Sequence, residues 1–378
     1  MAPVITLLGS SSVALAVGDT YVDAGATASD DVDGDISSHI VTVSTVDTTA
    51  VGNYSVSYDV TDASGNAAAQ VVRSVVVSPP PHVYGTVGGH ALAPPWQEPN
   101  QGMSVIYRPA DYATIPPTPV VFFAPGWTSV DPTDYQSLLT FTASQGYSII
   151  FAKDNSGAYS ANHLIGYFNT MATRPEVAPY IDTTKIGVIG HSSGGGHAFK
   201  TLAALSAQGW GASARFLFSM EPWFAFDMNN SDMQMLPANT HAIVIQFGPG
   251  GNNNVNNTDA RIPLTEFYLL TSIPAAEKDY QIFVNADHNY PKGNGSYASM
   301  AGILKPLDAL MDYTFNASAG ANAHQVALEV GNDDPYANGN GIQVVKPMSA
   351  YQYRCDGNDN SGANATLANS DIDYCAGY

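Results

Sequence analysis

A glycine-rich turn between an apolar run and a helix-compatible segment carries the clearest chemical signal in the sequence. Residues 185–189 are mostly apolar, and Gly190-His191-Ser192-Ser193-Gly194 follows them in the pattern Gly-x-Ser-x-Gly. Between a strand and a helix, this pattern predicts a nucleophile elbow that exposes the serine hydroxyl. Gly190 and Gly194 lack the Cβ that would collide with the strand and helix. We predict Ser192 as a nucleophile; the alternative is a glycine-rich connection without chemistry.

A serine hydroxyl needs a positioned imidazole to remove its proton during attack. The histidines that follow the serine are His197, His241, His288 and His324. His288 follows an apolar run and precedes the last predicted helix, which is where the α/β-hydrolase order of serine, acid and histidine places the base. His197 lies in a predicted helix, His241 at the start of a predicted strand, and His324 in the irregular tail. We predict His288 as the general base.

The acid that orients the histidine is less narrowly defined by the sequence. Asp259 follows the apolar run that ends near residue 247, and its carboxylate would accept the Nδ1 proton of His288. Asp259 also precedes a predicted helix, so its alternative role is that of a helix N-cap. Three more candidate acids follow the preceding strand: Glu221, Asp227 and Asp232. We favour Asp259.

The developing oxyanion needs two backbone donors that are in place before the reaction. One is expected to be the amide of Ser193, directly after the nucleophile. The other is expected from the loop after the apolar run 119–124, at Trp127, because Gly126 lets that loop approach the reacting carbonyl closely.

Strands and helices alternate through the region that contains these residues. Predicted strands lie at 104–107, 119–124, 147–152, 186–189, 215–219, 241–247 and 280–284. Predicted helices lie at 134–145, 197–207, 262–271 and 296–313. This alternation predicts an α/β fold with a mainly parallel sheet covered on both faces, whose chemistry lies at the carboxyl ends of its strands.

The first part of the chain has the pattern of a small all-β sandwich. Short alternating runs at 4–8, 12–17, 39–44, 53–60 and 69–77 are separated by turn clusters. We therefore divide the chain into an Ig-like domain (1–78), a proline-rich linker (79–82), a catalytic domain (83–316) and a C-terminal extension (317–378).

The segments 22–28, 30–36 and 58–68 resemble the bacterial surface-type Ig-like repeat, which is found attached to many secreted enzymes. The resemblance implies an accessory spacer or attachment module. The segment 30–36 contains four carboxylates that could surround a calcium ion: Asp30, Asp31, Asp33 and Asp35. The alternative is that this segment is a solvated turn without a bound ion.

A second resemblance covers roughly residues 100–315. The motifs Pro125-Gly126-Trp127, Gly190-His191-Ser192-Ser193-Gly194-Gly195, Pro222-Trp223 and Asp287-His288 are similar to the cutinase-like polyester hydrolases and the related platelet-activating-factor acetylhydrolase/dienelactone hydrolase group. The resemblance implies an α/β-hydrolase fold. It also implies that Trp127 supplies an oxyanion amide and lines the cleft, and that Trp223 forms a cleft wall. We also expect His191 to bind substrate.

The chain departs from that family at two places. An Asn/Gly-rich insertion lies between residues 247 and 259, which loosens the alignment of Asp259. The family's cystine beside the catalytic histidine is absent, because Cys355 and Cys375 both lie in the tail. Their loop is too polar to form a core, which favours a disulfide between them, and the alternative is two free thiols.

Composition narrows the classes of function. The chain has 378 residues and a formal net charge of −20, which argues against electrostatic binding to nucleic acid or anionic lipid. No stretch reaches the length of a membrane span, and we expect a secreted monomer whose signal peptide has been removed.

Together these patterns predict a secreted, cutinase-like serine ester hydrolase that has polyesters among its candidate substrates and needs no cofactor beyond the calcium considered above. A lipase or small-ester esterase is the near alternative. Two hypotheses belong to different functional classes: an adhesin with a hydrolase-like binding domain, and a peptidase of the same fold.

Overall fold

Two units make up the chain, Met1–Val83 and Tyr84–Tyr378. They are seen in a computed structural model that describes residues 1–78, 82–99, 102, 104–129, 131–152, 160–247, 261–283, 286–293, 297, 300–329 and 344–345.

The first unit consists of two small sheets. Its strands are β1 (Val4–Leu7), β2 (Ser12–Ala16), β3 (Ala26–Asp30), β4 (Gly34–Asp35), β5 (Val41–Ser44), β6 (Gly52–Asp59) and β7 (Val71–Ser78). One sheet has the order β1-β3-β4 and the other the order β2-β7-β6-β5, with β2 parallel to β7 and the other pairs antiparallel. The all-β prediction is confirmed, although β3 and β4 are not among the predicted strands.

A buried arginine crosses the interior of this unit. The side chain of Arg73 on β7 is 1% exposed, and its guanidinium donates to the carbonyl oxygens of Ser10 and Gly25 at 2.9 and 3.1 Å. It also pairs with the carboxylate of Asp23, which accepts a hydrogen bond from the hydroxyl of Tyr58. These partners replace the water that the guanidinium loses on burial.

The second unit is built on one nine-stranded sheet. Its strands are β8 (Trp96–Gln97), β9 (Ser104–Tyr107), β10 (Thr118–Ala124), β11 (Ser148–Ala152), β12 (Ile181–His191), β13 (Ala214–Met220), β14 (Thr240–Phe247), β15 (Lys278–Phe283) and β16 (Val344–Val345). The order is β16-β15-β14-β13-β12-β10-β11-β9-β8. The six strands from β15 to β11 in this order run parallel, and the strands at both edges run antiparallel to their neighbours.

Helices cover both faces of this sheet. They are α1 (Gln136–Ser144), α2 (Ala161–Ala172), α3 (Ser193–Ala207), α4 (Asn230–Gln234), α5 (Arg261–Leu269), α6 (Ala301–Phe315) and α7 (Gly320–Leu328). Successive strand residues enter opposite cores: Phe122 and Val188 join the core under α2, α3 and α5, whereas Phe123 and Ile189 join the one under α1, α6 and α7. Both cores consist of closely packed, buried apolar side chains, which makes the sheet a rigid support for the loops at its ends.

The C-terminal part does not form a separate body where the structure describes it. Helix α7 packs against α6, and β16 pairs antiparallel with the edge strand β15. The linker prolines at 79–81 and the cysteines Cys355 and Cys375 lie outside the described residues. Within the described part of the chain, none of the helices has the length and apolar character needed to span a bilayer.

Replacement of Arg73 by Met tests the account of the first unit. The change leaves Asp23 and the surrounding carbonyl groups without their buried partner, and we expect it to destabilise this unit by about 3 kcal/mol. Hydrogen exchange of the full chain will then show lost protection in β6 and β7 and unchanged protection in β12. The control Val72→Met changes an exposed neighbour on the same strand and should leave β6 and β7 protected. Equal protection in both variants would contradict the structural role of Arg73.

Candidate active site

Four loops meet at the carboxyl ends of the parallel strands in the second unit. Ser192 follows β12, Glu221 follows β13, and His288 lies in the loop after β15. Trp127 lies in the loop after β10. Because β10, β12 and β13 are neighbours in the sheet, their loops lie side by side, and the loop after β15 reaches them from two strands away.

The backbone at Ser192 adopts a conformation that residues with a side chain rarely occupy. Its φ is 57° and its ψ is −124°. The Ser192 amide donates to the carbonyl of Met220 at 3.0 Å, and the Trp223 amide donates to the carbonyl of Ser192 at 2.8 Å. The loop after β13 therefore fixes the serine on both sides, which offsets the cost of its strained backbone.

The glycines of the turn are required by the close approach of neighbouring backbone. A Cβ at Gly190 would lie 2.2 Å from the carbonyl oxygen of Gly194. A Cβ at Gly194 would lie 2.1 Å from the carbonyl oxygen of Ala124, the last residue of β10. A larger residue at 190 would push β12 away from the start of α3, and one at 194 would push α3 away from the β10 loop, so the glycines set how close these elements come to the serine.

Ser192, His288 and Glu221 form a continuous hydrogen-bonded chain. The Oγ atom of Ser192 is 2.9 Å from Nε2 of His288, and Nδ1 of His288 is 3.2 Å from Oε2 of Glu221. A carboxylate can only accept, so Nδ1 carries the proton and Nε2 is free to accept from the serine hydroxyl. Glu221 is fully buried, whereas His288 is partly exposed. When the imidazole is neutral, this tautomer places an acceptor nitrogen at the serine hydroxyl.

Among the described residues, the carboxylate that contacts the histidine comes from the loop after β13. Asp259 lies outside the described residues. Glu221, one of the three candidate acids after β13, occupies the Nδ1 position and has a positive φ of 40°. The other two lie elsewhere: Asp227 is exposed, and Asp232 accepts from the amide of Asn229 in the N-terminal cap of α4. The unusual backbone of Glu221 turns its side chain under the imidazole, and no sequence pattern reports such a torsion.

The remaining candidate histidines have contacts of other kinds. His197 stacks on a phenylalanine ring at a centroid distance of 4.6 Å. His241 lies 3.0 Å from a threonine hydroxyl, and His324 donates to a backbone carbonyl at 2.9 Å. Of the four, only His288 is seen against Ser192 in the described part of the chain.

His191 does not line the substrate cleft, contrary to the expectation from sequence. Its side chain is 1% exposed, and both ring nitrogens have partners inside the protein. Nδ1 is 2.8 Å from the hydroxyl of Tyr135, and Nε2 is 2.7 Å from the carbonyl oxygen of His288. The expectation fails because β12 continues through His191 and turns this side chain into the packed interior.

The predicted oxyanion donors lie on either side of the serine. Ser193 is the first residue of α3, whose first amides have no carbonyl partner within the helix. Ser192 stands at the N-cap, but its side chain makes no capping bond and its hydroxyl contacts His288 instead. On the other side, a Cβ at Gly126 would lie 3.3 Å from the Cβ of Ser192, which brings the turn that contains Trp127 against the nucleophile.

Two tryptophans on these loops face solvent. Trp127 is 61% exposed and Trp223 is 36% exposed. The amide of Trp223 donates to the carbonyl of Ser192, and Trp127 directly follows Gly126, which lies against Ser192, so both residues are on loops beside the site. Exposed indoles are costly in water and are typical of surfaces that contact an apolar ligand.

The predicted calcium ligands lie in the first unit, and only two of the four belong to one cluster of carboxylates. Asp30 and Asp33 come together with Asp62, with carboxylate oxygens within 4.8 Å of one another. Asp31 pairs with the N-terminal amine, and Asp35 accepts from the amide and hydroxyl of Ser37. Calcium binding at this turn stays a prediction.

Comparison with known proteins assigns the first unit alone. Residues 5–77 match the family described as bacterial surface protein, Ig-like domain. No curated protein matches the chain. The Ig-like prediction is thus confirmed, whereas every residue of the candidate site belongs to the second unit.

The strained turn makes a prediction about stability that does not depend on catalysis. Because the φ of Ser192 favours glycine, we expect Ser192→Gly to be more stable than Ser192→Ala, with a free energy of unfolding about 1 kcal/mol higher. Urea unfolding followed by tryptophan fluorescence measures this in the full chain, because all four tryptophans lie in the second unit.

The neighbouring serine provides the matched control for this measurement. Ser193 lies in a helix, where glycine is less favourable than alanine. The free energy of unfolding of Ser193→Gly should therefore be about 1 kcal/mol lower than that of Ser193→Ala. The same order of stability at both positions would show that the turn at Ser192 is not strained.

Proposed function

We propose that the second unit is a serine ester hydrolase of the α/β-hydrolase type. The observation that carries the proposal is the chain of contacts from Ser192 Oγ to His288 Nε2 at 2.9 Å and from His288 Nδ1 to Glu221 at 3.2 Å. The order of these residues in the sequence, serine, acid and histidine, supports the same assignment. The position of all three at the carboxyl ends of parallel strands supports it further.

Acylation begins when the Ser192 hydroxyl attacks the carbonyl carbon of an ester. The hydroxyl proton passes to Nε2 of His288 as the new C–O bond forms, and Glu221 stabilises the resulting imidazolium. The amides of Ser193 and Trp127 donate to the oxyanion. The tetrahedral intermediate then collapses, the ester C–O bond breaks, and the Nε2 proton moves to the departing alkoxide.

Deacylation repeats these steps with water as the nucleophile. Nε2 of His288 takes a proton from water, the hydroxide oxygen bonds to the acyl carbon, and the carboxylic acid leaves as the proton returns to Ser192 Oγ. The net reaction consumes one water and yields an alcohol and an acid. Acylation and deacylation each require His288 to be neutral when the nucleophile attacks.

Glu221 suits the role of the acid because of its environment. A buried carboxylate has no water to stabilise its charge, so its attraction for a new imidazolium is strong.

The rim of the site suggests the kind of ester. The exposed indoles of Trp127 and Trp223 would pack against an apolar or aromatic acyl group. Between Trp223 and β14 the only helix described is α4, five residues long, which is too short for a large lid. These features favour bulky, apolar esters, including polyester surfaces, over small polar ones. The Ig-like unit favours an extracellular or cell-surface location.

Turnover of a p-nitrophenyl ester by the full chain tests this function. We expect Ser192→Ala to abolish turnover, and Glu221→Gln to lower kcat by about 10²–10³-fold, because the amide no longer stabilises the imidazolium. Circular dichroism and tryptophan fluorescence verify that each variant is folded.

Asp259→Asn is the matched control, since it makes the same carboxylate-to-amide change at the residue that the sequence favoured. We expect its kcat to stay within about threefold of the parent, a change of less than 1 kcal/mol. A large loss in Asp259→Asn with little change in Glu221→Gln would transfer the role of the acid to Asp259. Undiminished turnover by Ser192→Ala would refute the serine mechanism.

A further inference from the structure

We propose that Tyr135 and His191 are positioning residues that fix the oxyanion turn and the backbone of His288 relative to Ser192. The proposal rests on the function proposed above and assigns roles to two side chains outside the Ser192–His288–Glu221 chain. The observation behind it is an unbroken series of hydrogen bonds that joins two loops on opposite sides of the serine. We refer to this series as the Tyr135–His191 bridge.

The bridge begins at the oxyanion turn. The Gly126 amide donates to the hydroxyl oxygen of Tyr135 at 3.0 Å, and this oxygen lies 2.8 Å from Nδ1 of His191. It ends at the base, because Nε2 of His191 lies 2.7 Å from the carbonyl oxygen of His288. Gly126 precedes Trp127, whose amide is the proposed oxyanion donor. The two ends of the bridge are therefore the oxyanion turn and the residue that carries the base.

The direction of each hydrogen bond follows from the groups at the two ends. The His288 carbonyl can only accept, so Nε2 of His191 carries a proton. The Gly126 amide can only donate, so the Tyr135 oxygen accepts there and its own proton points to Nδ1 of His191. His191 is then neutral with its proton on Nε2, and the other tautomer would break both of its bonds.

The surroundings favour these protonation states. Burial lowers the pKa of His191 well below its ordinary value of 6.5, and the nearby His288 acts in the same direction. Burial also raises the pKa of the Tyr135 phenol, opposed by hydrogen bonds from the Gly126 amide and the Ser129 hydroxyl. Both side chains therefore stay uncharged at neutral pH, and His191 remains neutral beside an imidazole that must take up a proton.

The bridge lies against the nucleophile itself. A Cβ at Gly126 would lie 3.3 Å from both the Ser192 Cβ and the Tyr135 hydroxyl, and 3.4 Å from Nδ1 of His191. The rings of His191 and His288 are 4.8 Å apart. A small shift of the bridge would therefore move the oxyanion turn and the base together, and errors of this size at reacting groups are costly to rate.

Kinetics of bridge variants test the proposal. We expect Tyr135→Phe and His191→Leu each to lower kcat about tenfold, because each change removes two hydrogen bonds of the bridge, with KM within about twofold of the parent. His191→Gln can still donate to the His288 carbonyl and should recover most of the loss. The double variant Tyr135→Phe/His191→Leu should be no slower than its slower single variant, because both changes break the same bridge.

Tyr280→Phe is the control for simple loss of a buried tyrosine hydroxyl. Tyr280 is buried in the second unit, where its hydroxyl donates to the side chain of Gln246 and takes no part in the bridge. This variant should lose stability but keep its kcat. The proposal is overturned if Tyr135→Phe behaves like Tyr280→Phe, or if the two bridge changes lower kcat by the product of their separate effects.

Nitrogen-15 NMR of histidine-labelled Ser192→Ala protein tests the bridge without any turnover. The His191 resonances, assigned through their loss in His191→Gln, should show a neutral ring protonated at Nε2 between about pH 5 and 8. A proton on Nδ1, or titration near pH 6.5, would overturn the bridge. Failure of the ester hydrolase function would show separately, as turnover that survives Ser192→Ala.

Discussion

The site depends on the close contact between the strained turn at Ser192 and the loops on either side of it. The turn has a positive φ, and its amide and carbonyl are both hydrogen-bonded to the loop after β13. Glycine at 190 and 194 lets the β10 loop and the start of α3 come within contact of each other. Without this contact, the hydroxyl, the first amide of α3 and the Trp127 turn would not face one common point.

The charges of the candidate site are arranged around one imidazole, which would change its protonation state in the proposed reaction. Glu221 is buried on the Nδ1 side of His288, where a positive charge is stabilised. His191 packs against the same ring, and burial keeps its pKa far below 6.5, so it adds no positive charge of its own. Two adjacent histidines thus have different surroundings, because one is next to a carboxylate and the other lies between a phenol and a carbonyl.

Features set by local sequence could be predicted, and features set by contacts between distant segments could not. The glycine-flanked serine, the alternation of strands and helices, and the histidine after β15 follow from residue type and spacing. The choice of Glu221 depends on a positive φ and on the lateral order of strands, whereas Asp259 fits the chain order equally well. The role of His191 depends on Tyr135, which lies 56 residues earlier. Strands β3 and β4 were missed because short runs of small and polar residues give a weak periodic signal.

Covalent labelling of the full chain with a fluorophosphonate ester is the most direct measurement of the central claim. Such a probe reacts only with a serine whose proton is removed by a positioned base and whose oxyanion is stabilised. Peptide mapping by mass spectrometry should find the phosphonate on Ser192, with labelling strongly slowed in His288→Gln. An unlabelled Ser192, or equal labelling of other serines, would contradict the account and leave the turn as a structural connection between β12 and α3.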